Sequence, residues 1–546
     1  MCTQKEEILS LSKKSVSNIQ KENANIIDQH FDKLRNYSID LYINDVEYLG
    51  LEKTWDCICE YILKYGESND LINIRNFGEM YEIGLAIEDK IKKKKSGQYY
   101  TPDDVALVMS EWLDKCEGEN ICDVGCGTGK LILTYLDYIG KKKALKILKE
   151  GKLYLYDYDK VALKICKTSI LIKYGVELND CIHDIYCDFL DKSVLLPKNC
   201  KTISNPPYAA MQSVGDNWVI TDVIKDSHEW YSAFMEKIFE QSTSTVIITP
   251  FSFVSGNKFY SLRKKMCEIG NGFIVVFDNV PGNIFCGRKQ GIFNSNTANS
   301  VRAAITVLNT SETKKGFKVS PMIRFKNEER KALLKGCVLE STINKEFQLI
   351  NKDNSSFKKV SKELKDVYDN WIDKSSYYLK DLLCKVENEF LIDVPNTCRY
   401  NTTASSKKLK RSGSNTLYAK SEDEFYFLYC FINSSFAYWW WRIYDGAITY
   451  PKGLLNKLPV PFNQLTDVDK HEFKKIAQDM ISLEQEYIST KVNAGVAQEN
   501  IKFPEKYRNK INNKILKIIG CNQTYKIFDK VHANKFFIES NEENEF

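Results

Sequence analysis

A doubly wound α/β sheet, preceded by a helical region and followed by a second domain, is the architecture expected of this 546-residue chain. Three observations carry it. Six short apolar runs alternate with helical patterns between Asn120 and Leu308, and the first run ends in the alternating glycines Gly125, Gly127 and Gly129. On either side the pattern changes, to proline-free helical spacing before Lys95 and to an irregular, polar and then aromatic stretch after Ser311.

The length exceeds what one core supports, so two or three domains are expected. We divide the chain at 1–95, 96–310, 311–460 and 461–546. In the first segment Trp55, Ile58, Tyr61, Ile62 and Tyr65 recur at helical spacing, and the lysines 92–95 close it as a solvated helix end. A helical stripe resumes at Val105, Met109 and Trp112. The six strands are expected at 121–124, 153–156, 201–204, 245–248, 273–277 and 303–308. A long loop rich in Gly, Asn and Ser separates the last two, which predicts an antiparallel, hairpin-like edge or an excursion that binds a ligand. After the prolines 451–461 the chain reads as helical to its charged end.

Composition narrows the function classes. With 77 basic and 72 acidic residues the net charge is +5, too even to demand a polyanionic partner and compatible with a local basic cleft. The 17 cysteines form no CxxC pair and only five histidines are present, so reduced thiols and no metal site are expected. The polar start and the absence of a long apolar run predict a cytoplasmic protein with no membrane contact.

The chemistry is concentrated at strand ends. Ile121-Cys122-Asp123-Val124 runs into the three glycines and a helix from about Lys130, a turn that opens backbone amides to a ligand. Asp157, ending the next strand, stands where an acid accepts ribose hydroxyls, with Asp159 as competitor. The glycines fall at every second position without the three-residue step of a dinucleotide fingerprint, and no hydride-transfer residues follow, which favours S-adenosylmethionine over NAD. Downstream, Asn205-Pro206-Pro207-Tyr208 offers an amide oxygen, an outward carbonyl and an aromatic face, the requirements for holding a planar amine edge-on.

These residues resemble the S-adenosylmethionine-dependent N6-adenine DNA methyltransferases of restriction-modification systems. Gly97-Gln98-Tyr99-Tyr100-Thr101-Pro102 is similar to that family's first cofactor motif, and the 123–129 loop to its glycine-rich motif. Asn205 to Tyr208 matches its catalytic tetrapeptide. The resemblance implies that Tyr100, Thr101, Pro102, Asp123, Gly125, Gly127, Gly129, Asp157, Asp188 and Phe189 bind the cofactor, Asp184 being an alternative to Asp188. It further implies the gamma order of motifs, a target-recognition domain following the Rossmann-like methyltransferase sheet and closing through Asn433 to Gly453, and double-stranded DNA as substrate. A separate restriction endonuclease would be a partner unless the enzyme acts alone.

Under this reading Asn205 Oδ1 and the Pro206 carbonyl each accept one N–H of a flipped-out adenine, Tyr208 stacks on the base, and Phe285 covers its other face. Lys407, Lys408, Lys410 and Arg411, in a loop ordered on binding, and Arg442, with Arg399 near by, are the candidates for phosphate contact. Most of the aromatics Phe436 to Trp441 are expected in the second domain's core. The rivals are methylation of RNA or of a protein glutamine, and a catalytically silent DNA-binding subunit. A fused nuclease would need Glu88-Asp89-Lys90 on a strand, and that tripeptide lies in a helical pattern.

Overall fold

The computed structural model describes residues 101–279, 282–285, 301–311, 315–336, 338–339, 350–351, 356–398, 400–447, 449–493 and 496–532. The expectations for residues 1–95, for Gly97 to Tyr100, for Arg399 and for most of the Gly-, Asn- and Ser-rich loop before the last expected strand lie outside them. The chain forms two compact units, one of residues 1–317, 326–341 and 351–355, the other of 318–325, 342–350 and 356–546.

The first unit is built on a sheet in the order β3-β2-β1-β4-β5-β7-β6. Its strands are β1 (Asn120–Val124), β2 (Leu153–Asp157), β3 (Ile182–Tyr186), β4 (Cys200–Ser204), β5 (Ser244–Pro250), β6 (Asn271–Phe277) and β7 (Ala303–Asn309). Pairing is parallel from β3 to β5, whereas β7 runs antiparallel to both of its neighbours, β5 and β6. The order continues through β8 (Gly316–Val319) and β9 (Ile350–Asn351), where the chain passes between the units. β7 is therefore antiparallel as expected but internal to the sheet rather than at an edge. Most residues of strands β4 to β7 are buried, as expected of strands covered on both faces. β3 carries exposed His183, Asp184 and Tyr186, and this polar edge strand is the one the apolar pattern does not disclose.

Helix α1 (Asp103–Lys115) starts after Pro102, carries Asp103 and Asp104 in its first turn where the helix dipole favours anions, and buries Val105, Val108, Met109, Trp112 and Leu113. Trp112 meets Phe273 of β6 edge-to-face at 5.2 Å, and its removal would cost about 3–5 kcal/mol. Helix α2 (Lys130–Ile139) follows the glycines, and α3 (Lys141–Lys149) leads to β2. Helix α4 (Lys160–Tyr174) is capped by Asp159, whose side chain accepts from the Val161 and Ala162 amides. Helices α5 (Asp222–Ser227), α6 (Trp230–Gln241) and α7 (Tyr260–Ile269) flank the far half of the sheet, and a short helix α8 (Arg330–Leu333) completes the unit.

The second unit surrounds an aromatic core. Helices α9 (Lys362–Lys374), α10 (Glu422–Ile432) and α11 (Ser435–Tyr444) bring Trp371 into stacked contact with Trp439 at 5.8 Å and edge contact with Phe436 at 5.0 Å. Helices α12 (Asp467–Ser482) and α13 (Glu505–Ile518) contribute Phe473, Ile476, Ile511 and Ile515 to the same cluster. The expected division at residue 460 thus does not separate two cores. Three antiparallel pairs complete the unit among the described residues: β10 (Leu391–Pro395) with β11 (Ser414–Tyr418), β12 (Ile488–Asn493) with β13 (Val496–Ile501), and the two-residue pairing of Tyr377–Tyr378 with Pro459–Val460. Among the described residues no helix is long and apolar enough to cross a membrane, and no group of His, Cys, Asp or Glu could hold a metal ion.

Candidate active site

β1 and β4 are neighbours, Val124 paired with Ser204, so the loops that follow them leave the sheet side by side. Ser204 Oγ donates to the Val124 carbonyl at 2.6 Å, and a methyl group added at Gly125 would lie 3.8 Å from the Asn205 carbonyl oxygen. The glycine turn and the start of the Asn-Pro-Pro-Tyr corner are therefore adjacent at one end of the sheet.

Gly125, Gly127 and Gly129 have φ of 71°, 52° and 93°, a left-handed conformation that side chains rarely adopt. The Gly127 amide donates to Asp157 Oδ2 at 2.6 Å, and the Asp159 amide to Oδ1 at 2.8 Å, which joins the glycine turn to the end of β2. Asp159, the competitor, is spent on capping α4. Among the described residues a methyl group added at Gly127 would meet nothing within 4 Å, so the backbone there faces open space. Asp123 is fully buried; its Oδ2 accepts from the Ile132 amide at 3.2 Å, and its Oδ1 has no hydrogen-bond partner among the described residues. Burial, reinforced by the neighbouring Asp157 charge, pushes the Asp123 carboxyl up to about 8. Burial also raises Asp157, to about 6, against the opposing amides of Asp159 and Gly127.

At the end of β3, Asp188 accepts from the Leu190 amide at 3.0 Å and from Trp218 Nε1 at 2.8 Å. Phe189 is buried between Tyr156 and Phe234 with the Lys237 ammonium 4.9 Å from its ring. Asp184 points elsewhere, in an ion pair with Lys167 at 2.7 Å. Nothing in the spacing of the sequence marks Trp218 as the partner of Asp188.

Asn205 Nδ2 donates to Thr101 Oγ1 at 3.0 Å. Because the amide is planar, holding its nitrogen there turns its oxygen to the opposite side. Thr101, expected among the cofactor ligands, thus orients the tetrapeptide, with Pro102 as the N-cap of α1 beside it. Tyr208 donates its hydroxyl to the Ile248 carbonyl of β5 at 3.0 Å, which fixes the ring without engaging its face. Phe285 lies 5.8 Å from Tyr208, centroid to centroid, at an interplanar angle of 65°. A base between two rings needs them parallel and two stacking distances apart, so Phe285 as placed walls one side of the Tyr208 ring instead of completing a sandwich.

In the second unit the expected phosphate contacts divide into two groups. Lys407, Lys408 and Lys410 are exposed. Arg411 is turned inward, its side chain 5% accessible and paired at 2.8 Å with the fully buried Asp393. Arg442 is buried and donates to the Met322 carbonyl at 3.0 Å. Neither guanidinium faces a phosphate as placed, because each is committed to the interior. The loop itself is already ordered by the protein: Ser406 N donates to Glu484, Leu409 N to Asp393, and Lys410 N to Glu499.

The sheet order, with one antiparallel strand between β5 and β6 and a glycine turn facing an acid at the next strand end, defines a Rossmann-like methyltransferase sheet. The chain belongs to the N-6 DNA Methylase family, whose family model matches residues 73–379. It is 28% identical over 134 residues to the MjaIX methylase subunit of a type I restriction enzyme from Methanocaldococcus jannaschii, covering 24% of this chain and 22% of that protein. It is 21% identical over 275 residues to the MpnII methylase subunit of a type I restriction enzyme from Mycoplasma pneumoniae, covering 44% of this chain and 46% of that protein. The rRNA N(6)-adenosine-methyltransferase metl-5 of Caenorhabditis elegans is 29% identical over 128 residues, 22% of this chain and 54% of that protein. The chain spans about half the length of these relatives or less.

Proposed function

We propose that this chain transfers a methyl group from S-adenosylmethionine to the N6 amine of an adenine flipped out of DNA, as the modification activity of a restriction-modification system. The single observation that carries this is the hydrogen bond from Asn205 Nδ2 to Thr101 at the mouth of the glycine turn, which commits the amide oxygen to accept. The open backbone at Gly127, the Asp157 carboxylate beside it and the buried Asp123 acceptor fit a nucleoside with a charged amino-acid tail. When bound, that cofactor supplies an electrophilic methyl group on a positively charged sulfur.

The protein's part is to make a poor nucleophile adequate. The adenine amine lone pair is delocalised into the ring; Asn205 Oδ1 and the Pro206 carbonyl, each accepting one N–H, favour a pyramidal nitrogen whose lone pair leaves the ring plane. No strong base is needed at the start, since the surplus proton departs to solvent after the nitrogen has become cationic. Flipping costs about a few kcal/mol, offset in part by stacking on Tyr208. The ring is held for that purpose by its hydroxyl. Lys407, Lys408 and Lys410 are the proposed phosphate contacts, on a loop whose backbone is fixed beforehand, and a separate endonuclease is the proposed partner.

A second reading, methylation of an adenosine in RNA, is favoured by the similarity to metl-5. One experiment separates the two. The purified chain is incubated with tritium-labelled S-adenosylmethionine and either unmethylated phage DNA or unmodified rRNA, and the digested nucleosides are chromatographed. The expected product is N6-methyladenine in DNA, lost in Asn205→Ala while cofactor binding persists. Label in RNA alone would replace the first reading by the second.

A further inference from the structure

One buried guanidinium ties the aromatic wall of the base pocket to the start of α1. Arg330 is 8% accessible. Its Nε and Nη2 donate to the two oxygens of Asp104 at 2.6 and 2.9 Å, Nη1 donates to the Asn283 carbonyl at 2.9 Å, and Nη2 donates also to the Ile284 carbonyl at 2.7 Å. The Phe285 amide in turn donates to Asn283 Oδ1 at 2.9 Å. Just after β6 and just before β7, Asp278 and Arg302 form a second buried pair at 2.9 Å.

We propose that Arg330 is a positioning residue for the target base, holding the 283–285 segment so that Phe285 stays against Tyr208. The inference rests on the reading of that pocket given above. The planar fork suits the task because it grips a carboxylate with one edge and consecutive carbonyls with the other, which the point charge of a lysine cannot reproduce. Asp104 neutralises the cation, so a guanidinium is tolerated in the interior. Asp104 lies three residues after Thr101, whose hydroxyl orients Asn205. The start of α1 is thus a common reference for the amide proposed to grip the amine and the ring that abuts Tyr208. A displacement of about 1 Å in such a site costs up to about a hundredfold in rate.

The test is a double-mutant cycle on the full chain, measuring transfer of tritium-labelled methyl groups to unmethylated phage DNA, together with cofactor affinity and melting temperature. Arg330→Lys is expected to lower kcat/KM for DNA by about ten- to a hundredfold, leaving the cofactor dissociation constant unchanged. Made in a Phe285→Ala background, it should add almost nothing, because the ring it positions is gone. Losses that multiply in the double variant, or a parallel loss of cofactor affinity, would overturn the proposal. Should Arg330→Lys fail to fold, Asp104→Asn, which keeps one acceptor oxygen, is taken through the same cycle and decides by the same criterion. A wild-type chain that labels no DNA, or a Phe285→Ala variant of full activity, would instead sink the pocket reading on which the inference stands.

Discussion

Replacing Thr101 by valine removes one oxygen and keeps the shape, and it asks directly whether the Asn205 amide is aimed by the protein. Thr101 is 3% accessible and its hydroxyl is 3.0 Å from Asn205 Nδ2. Without that acceptor the buried amide loses this hydrogen bond, at a cost of about 1–3 kcal/mol. Rotation of the amide by half a turn is then opposed less strongly. The rotated form presents N–H to the substrate N–H, so an accepting oxygen is replaced by a clash of donors. Removal of one well-aimed polar group from the transition state costs about 2.7–4 kcal/mol, and partial retention of the correct rotamer reduces this. We therefore expect kcat to fall by about ten- to a hundredfold, the equivalent of about 1.4–2.7 kcal/mol.

Single-turnover methylation of DNA under saturating cofactor reads that quantity, and calorimetric titration reads cofactor affinity separately. Thr101→Ser restores the hydroxyl and should restore most of the rate. The opposite pattern, an unchanged rate with weakened cofactor binding in Thr101→Val, would refute the reasoning and return Thr101 to the role of cofactor ligand that its motif suggests.

Four further outcomes are expected. Asp157 is raised to about 6, so if its ionised form accepts the ribose hydroxyls, cofactor affinity should fall about tenfold per pH unit below that value and level off above it; a dissociation constant independent of pH between about 5 and 7 would contradict this. Asp123 in the folded state, at about 8, holds a proton that the unfolded chain gives up near 3.8, so the cofactor-free protein should lose stability as pH rises through that window. Asp123→Asn should flatten the dependence of melting temperature on pH, and an unaltered slope would count against the shift. Replacing Lys407, Lys408 and Lys410 by alanine should reduce the salt dependence of DNA binding, by about 0.9 in the log–log slope for each phosphate no longer neutralised, at unchanged melting temperature. Arg411→Met should instead destabilise the second unit by about 3–5 kcal/mol through the stranded Asp393 carboxylate, seen in chemical denaturation.

The contrast between those lysines and Arg411 shows where reading a sequence stops. Lys407-Lys408-Leu409-Lys410-Arg411 looks uniformly cationic, yet Leu409 and Arg411 turn inward while Lys408 and Lys410 stay outside, the alternation of an extended segment. Leu409 is a legible sign of that alternation; the buried Asp393 that receives Arg411 comes from a distant strand and leaves no local trace. The same holds at the site. Glycines with positive φ, an acid ending the next strand and a proline-flanked amide are signals of backbone geometry, and such signals are local. Thr101 beneath Asn205, Trp218 on Asp188 and Arg330 behind Phe285 are pairings between residues remote in sequence, and only the folded chain brings them together. β3 escapes the pattern because an edge strand needs no apolar outer face. The internal place of β7 escapes because its two neighbours are separated by sequence patterns that fit either an edge or an insertion.

Topology also explains why a glycine turn and an Asn-Pro-Pro-Tyr corner so far apart in the chain converge. In the order β3-β2-β1-β4-β5 the chain lays successive strands to one side of β1 and then returns to begin the other side at β4. At that reversal the loops after β1 and β4 diverge over opposite halves of the sheet and leave a crevice between them, the position where open α/β sheets bind ligands. The half of the crevice proposed for the nucleoside, built on β1 and β2, and the half proposed to grip the amine, built on β4 and β5, therefore need no long-range design to meet. What the fold does not supply is fine aim within the crevice. That is the role proposed for side chains arriving from outside the sheet, Thr101 and Asp104 from the start of α1 and Arg330 from α8, and on this reading their substitution should alter rate more than affinity for the cofactor.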